Sequence, residues 1–216
     1  MNTNDLVAAI TEAVLKKYSQ TKKGIPVGIS NRHVHLSKAD LDTLFGQEFQ
    51  LTVMKELSQP GQYASEQKVT LVGPNGVVEN VRILGPVRNK TQVEVSLSDC
   101  FKLGIKAPVR DSGDLENSAG ITLVGPKGSV TIKDGVIIAA RHIHMHPKDA
   151  EAFGVKDKER VCIKVPGLRG LVFNEVLVRV SEKHQLEMHV DLDEANAASL
   201  RNQDIVEIVF AEKDVS

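Results

Sequence analysis

The chain has 216 residues, 41% of them hydrophobic and 25% charged, a globular composition that excludes a disordered, collagen-like or coiled-coil main body. Lys and Arg number 27 against 28 Asp and Glu, a formal net charge of -1, and no stretch concentrates the basic residues, so the electrostatic footprint of a nucleic-acid binder is missing. Trp is absent and aromatics make up 4%, which removes the stacking platforms of single-strand binders.

Two cysteines, Cys100 and Cys162, are too few for a disulfide framework, and the first residues lack the features of a secretory signal. The expected location is a reducing cytosol. The longest apolar run, Gly135 to Ala140, is far short of the roughly 20 residues of a membrane span, so no membrane partner is expected.

In chain order, Leu6, Ile10 and Val14 line one face of a helix over Asp5 to Tyr18, with Asn4 placed to cap it. The polar segment Ser19 to Gly24 then breaks the pattern, so residues 1–23 read as an appended amphipathic helix and linker. The helix either packs on the body or serves as a docking tag. A short helix follows over Lys38 to Phe45. Strand-like runs cover Lys68 to Val72, Val77 to Leu84, Gln92 to Leu97, Val130 to Ile132 and Gly135 to Ala140, many of them bounded by glycine and proline turns. The second half adds a helix over Pro147 to Phe153, strands over Val161 to Val165, Leu171 to Val180 and Gln185 to Val190, and a helix over Asp193 to Leu200.

An internal repeat organises these elements: Asn31-Arg32-His33-Val34-His35-Leu36 is echoed by Ala140-Arg141-His142-Ile143-His144-Met145. The expected fold is mainly β, with two small β-barrels related by the repeat and short capping helices. The barrels would span 24–139 and 140–216, with exchange of strands between them allowed.

Side chains alternate along a strand, so His33 and His35 share a face, as do His142 and His144. Each pair can clamp a metal ion, and imidazole suits zinc. Glu94 and His189 occupy corresponding places in later strands and are flanked by apolar residues, which nominates them as third ligands. A site with three protein ligands and one open position is catalytic in pattern rather than structural. A lone His-X-His would mean little, but its duplication makes accident a poor explanation. His146, just before a proline-initiated helix, and His184 have ordinary structural roles, and the two cysteines read as buried packing. Arg88 can grip phosphate in a bidentate fork, and the turn Arg110-Asp111-Ser112-Gly113-Asp114 offers hydroxyl and backbone N–H donors to an oxyanion.

Together, Ile29-Ser30-Asn31-Arg32-His33-Val34-His35-Leu36, Gly85-Pro86-Val87-Arg88, Arg110-Asp111-Ser112-Gly113 and Arg141-His142-Ile143-His144-Met145 resemble the phosphate propanoyltransferases of the PduL type, the phosphotransacylases found with bacterial microcompartments. The resemblance runs from about Ile25 to Val209. It implies reversible acyl transfer between coenzyme A and phosphate at a dinuclear zinc site. One zinc would sit on His33, His35 and Glu94, and the other on His142, His144 and His189. It implies Arg88 as the phosphate ligand, Ser112 as an active-site residue, and Ile29, Ser30, Asn31, Arg82 and Asn196 as the coenzyme A contacts. Asn75 departs from the pattern, standing where a basic residue is expected. Compartment members carry a short N-terminal encapsulation helix, and Leu6 to Lys17 looks like one, which would place the enzyme inside a microcompartment with shell or cargo proteins as partners. Homo-oligomerisation is left open. Two other functions use the same residues: a dinuclear zinc hydrolase of a thioester or phosphoester, and a non-catalytic compartment scaffold with structural metals.

Overall fold

The computed structural model describes residues 24–209, together with Val7 and Thr11. The expected N-terminal helix, and the docking tag with it, otherwise falls outside the described residues.

The first His-X-His is strand β2 (His33–His35), which lies between β5 (Val77–Gly85), parallel to it, and β6 (Gln92–Glu94), antiparallel to it. Strand β4 (Tyr63–Val72) continues the sheet from β5, and β9 (Ser129–Ala139) continues it from β6. Strand β8 (Ala119–Val124) pairs with both β4 and β9 and so closes the ring β4-β5-β2-β6-β9-β8. Two short strands, β3 (Val53–Glu56) on β4 and β7 (Val109–Arg110) on β9, stay outside it. Val34, Leu71, Ile83, Val93, Leu123 and Val136 fill the interior and are all fully buried. Burying each such side chain contributes roughly 1.5–3 kcal/mol.

The second His-X-His is β10 (His142–Met145), and its ring repeats the pattern. It joins β12 (Leu171–Val180), parallel to β10, to β11 (Arg160–Val165), β14 (Ile205–Val209), β1 (Ile25–Ser30) and β13 (Glu187–Asp191), in the closed order β1-β13-β10-β12-β11-β14. Ile143, Met145, Ile163, Val176 and Val178 are among its fully buried residues. The mainly β, two-barrel expectation holds. Strand β1, which leads into the first motif, belongs to the second ring, while β9, which leads towards the second motif, belongs to the first.

Four short helices stand among the described residues: α1 (Lys38–Phe45), α2 (Leu97–Leu103), α3 (Pro147–Phe153) and α4 (Leu192–Ala198). Helices α1 and α3 have the expected bounds. His146 is the N-cap of α3, its Nδ1 accepting from the Lys148 N–H at 3.2 Å, in keeping with the structural role expected of it. Helix α2 was not expected: the run Gln92 to Leu97 ends as a strand at Glu94, and Ser96 and Asp99 then form a reciprocal capping box that starts a helix. The turn Gly73-Pro74-Asn75-Gly76 lies against the end of α2, with the Asn75 N–H donating to the Leu103 carbonyl at 3.1 Å. A Cβ at Gly73 would lie 2.2 Å from that carbonyl oxygen, so only glycine permits this approach.

Candidate functional site

Alternation along β2 places Val34 in the core and turns His33 and His35 to the outer face. Both are nonetheless buried, at 8% and 2% exposure. The antiparallel register sets His33 opposite Glu94 and His35 opposite Gln92, so two adjacent strands deliver all four polar side chains to one face. The His33 Nε2 stands 3.4 Å from Glu94 Oε2, and its Nδ1 donates to the Asn31 carbonyl at 2.8 Å. That second bond fixes the ring and leaves Nε2 as the inward nitrogen.

Glu94 is held in turn. Gln92 Nε2 donates to Glu94 Oε1 at 2.6 Å and to Ser112 Oγ at 2.8 Å, and Ser112 Oγ donates to the same Oε1 at 3.2 Å. The Gly113 N–H donates to Gln92 Oε1 at 2.9 Å, so the turn named in the sequence docks on the third candidate ligand. The part played by Gln92 was missed. Its signal was a lone amide side chain two residues before Glu94, on the same face of the strand.

Electrostatics differ between the two histidines. Burial pushes the His33 pKa down, but the charge and hydrogen bond of Glu94 and the Asn31 carbonyl together outweigh it and leave the pKa above 6.5. Burial, then the charges of His33 and Arg88, lower that of His35 to about 3. His35 is therefore neutral, the form that ligates metal.

The ligand-capable atoms of His33, His35 and Glu94 lie within 4.8 Å of one another, as do those of His142, His144 and His189 on β10 and β13. His142 Nε2 and His144 Nε2 approach to 3.1 Å with their rings nearly perpendicular, at 89°. The His35 Nδ1 is buried without a hydrogen-bond partner, a costly arrangement that a metal ion in this pocket of imidazole and carboxylate donors would relieve. The residues present fit a divalent metal of the zinc type in both groups.

Arg88 follows β5, and its backbone N–H donates to the Leu36 carbonyl at 2.9 Å beside the end of β2. Its charge bears on both His33 and His35. Arg110 is paired with Asp114 at 3.2 Å. Ile29 and Ser30 end β1, and Asn31 links it to β2. The Arg82 guanidinium spans to the carbonyls of Ser65, at 2.7 Å, and Glu66, at 3.3 Å. Asn196 is exposed on α4. His184 packs its ring against that of His144, 4.3 Å between centroids, and bonds through Nδ1 with the Arg179 carbonyl at 3.0 Å. Cys100 is buried, and burial raises its thiol pKa, the reverse of what an attacking thiolate needs. Among the described residues no helix is long and apolar enough to cross a membrane.

Comparison with known proteins gives one consistent result. The family model described as phosphate propanoyltransferase matches residues 26–201. A phosphate propanoyltransferase of Thermotoga maritima is 58% identical over 207 residues, covering 93% of this chain and 99% of that protein. One from Rhodopseudomonas palustris is 52% identical over 184 residues, covering 85% and 81%. Another, from Clostridioides difficile, is 48% identical over 205 residues, covering 95% and 98%.

Proposed function

Since this chain belongs to the phosphate propanoyltransferase family and is an enzyme of the phosphate acyltransferase type, we propose that it moves propanoyl or acetyl groups between coenzyme A and phosphate at a centre of two zinc ions. His33, His35 and Glu94 hold one ion, and His142, His144 and His189 hold the other. The observation that supports this reading is that each half of the repeat assembles a group of three ligand-capable side chains.

In the forward direction a phosphate oxygen attacks the thioester carbonyl carbon. A C–O bond forms, the C–S bond breaks, and the sulfur leaves as a thiolate that takes up the proton released from hydrogen phosphate. Bound zinc supplies Lewis acidity to the negative charge that develops on the carbonyl oxygen and the sulfur. The protein's own groups do the positioning. Arg88, beside the first ligand pair, grips the phosphate in a charge-assisted fork and offsets its charge during approach. Gln92 and Ser112 hold Glu94 in place, so Ser112 acts by orienting a ligand. Ile29, Ser30, Asn31, Arg82 and Asn196 remain the proposed coenzyme A contacts. Ile29, Ser30 and Asn31 run directly into β2, while the Arg82 guanidinium is already engaged with two carbonyls, so Arg82 would reach the coenzyme by sharing those bonds. Nucleophilic catalysis by a side chain is not required.

The test is thiol release from propanoyl- or acetyl-coenzyme A with and without inorganic phosphate. Release should require phosphate and yield an acyl phosphate; equal release in phosphate-free buffer would make the enzyme a hydrolase instead. In the same assay Arg88→Ala should lose about two orders of magnitude in turnover, a few kcal/mol for a lost bidentate contact, and Arg88→Lys should recover only part of it. Wild-type turnover and phosphate dependence in Arg88→Ala would move the phosphate site elsewhere.

We further propose that Leu6 to Lys17 delivers the enzyme to a bacterial microcompartment by docking the stripe of Leu6, Ile10 and Val14 on a shell or cargo protein. Fusing Met1 to Gln20 to a fluorescent protein should send it to compartments. A fusion spread evenly through compartment-forming cells would show that the segment carries no address.

A further inference from the structure

The arginine that opens each Arg-His-X-His motif is absent from both ligand sets, yet the two arginines make the same connection. Arg32 Nε donates to both carboxylate oxygens of Asp99, at 2.8 and 2.9 Å. Asp99 is 4% exposed, and its Oδ2 also accepts from the Ser96 N–H at 3.2 Å. It is the acid of the capping box that starts α2, directly after the strand that carries Glu94. In the other half, Arg141 Nη1 donates to Glu194 Oε1 at 2.6 Å. Glu194 Oε2 accepts from the Asp191 N–H at 3.3 Å, while the Glu194 N–H donates to Asp191 Oδ1 at 2.8 Å. This second reciprocal box starts α4, directly after the strand that carries His189.

The two halves reach this arrangement with different residues. The boxes are Ser with Asp and Asp with Glu, and the third ligands are Glu and His. What they share is an arginine next to the first histidine, joined to the acid in the first turn of the helix that follows the third ligand. A surface ion pair contributes little and has no reason to recur in a matching position. A charge-assisted bond to a mostly buried carboxylate fixes two backbone segments relative to each other.

We propose that Arg32 and Arg141 are positioning residues of the metal centre: each latches the strand of its histidine pair to the strand of the third ligand through the capping acid, setting the separation of the three ligands. Arg32 acts through Asp99 on Glu94, and Arg141 through Glu194 on His189. This rests on the metal reading above and adds to it how the ligand sets are held at their spacing. Partners of this kind, one step removed from the metal, are worth about 10–100-fold in metal affinity.

The test uses the full-length zinc-loaded enzyme and reads zinc release to a chromogenic chelator, with the cobalt(II) spectrum as a second readout. His142→Ala isolates the first site, and His33→Ala isolates the second. In the His142→Ala background, Arg32→Gln and Asp99→Asn should each speed release by about tenfold or more, and the double variant should be no faster than the faster single, because the two act as one unit. Arg32→Lys, the milder replacement, should recover part of the retention and guards against a variant that fails to fold. Arg141→Gln and Glu194→Gln should do the same in the His33→Ala background and leave the first site alone. Unchanged release and spectra, additive effects within a pair, or equal loosening of both sites by either arginine would overturn the latch. A wild-type enzyme that holds no metal would overturn the metal reading itself, and that result is visible before any variant is made.

Discussion

Two histidines separated by a single valine have pKa values shifted in opposite directions because Glu94 bonds directly to His33 while burial and neighbouring positive charge dominate at His35. His33 faces a carboxylate, and its pKa sits above 6.5, while His35 is buried beside the charges of His33 and Arg88, with its pKa near 3. For folding of the metal-free protein the signs oppose. The His33 contribution is present below pH 6.5 and lost as pH rises through its raised value, whereas the His35 contribution is present above pH 6.5 and lost as pH falls towards about 3. For metal binding the consequence is simpler, because only neutral imidazole ligates. His35 is ready at every working pH, and His33 must give up the proton that Glu94 favours. Zinc affinity at this site, isolated in His142→Ala, should therefore fall by about tenfold per pH unit once the pH drops below the His33 value, with close to one proton released per zinc bound. Calorimetric titration of metal-stripped protein in buffers of different ionisation enthalpy measures both. An affinity independent of pH between about pH 8 and about pH 6 would mean that His33 carries no proton there.

At the scale of elements, capping decides where the short helices begin. His146 supplies the cap that Ser supplies to α1 and α2, and Pro147 follows it at the first helical position. His146→Ala should cost about 1 kcal/mol of stability, seen as a lowered melting temperature with zinc content and turnover unchanged, and His146→Ser should restore it. Loss of zinc in His146→Ala would instead place this residue in the metal centre. The same logic explains what was legible beforehand. Helices α1 and α3 could be bounded from sequence because a cap, a proline or a terminal glycine marks their ends. Helix α2 could not, because Val93, Val95 and Leu97 continue an alternating pattern through Ser96, and the apolar rhythm masked the Ser96–Asp99 capping box. The two groups of metal-capable side chains were legible because duplication made them conspicuous. The bonds around them, Arg32 to Asp99 and Gln92 to Ser112, join residues far apart in the chain, which meet only once the helix and the turn that carry Asp99 and Ser112 are folded against the sheet.

At the scale of the whole molecule, each ring takes the strand leading into the other ring's histidine motif. Strand β1 completes the ring β1-β13-β10-β12-β11-β14, although the whole first ring separates it in sequence from the other five strands. A closed ring has no free edges, and removing one strand exposes two. Residues 140–216 expressed alone would lack β1 and leave β13 and β14 without their shared neighbour. Ile25 and Val27 of β1, both fully buried, would be missing as well, a loss of about 1.5–3 kcal/mol each, comparable in sum to much of a small domain's total stability of about 5–15 kcal/mol. The fragment should fail to unfold cooperatively and should aggregate, as read by amide NMR dispersion and light scattering. A second fragment carrying residues 24–30 joined by a flexible linker to the end of the 140–216 segment restores the missing strand, and it should regain dispersed amide signals. Closure depends on β1 pairing with β14 in the register Ile25 with Val206 and Pro26 with Ile205, so a shift of one residue would turn Ile25 and Val27 away from the interior. A well-dispersed spectrum from 140–216 without β1 would show that the five remaining strands close by themselves, and that the exchange of strands is not what makes the two halves of this chain depend on each other.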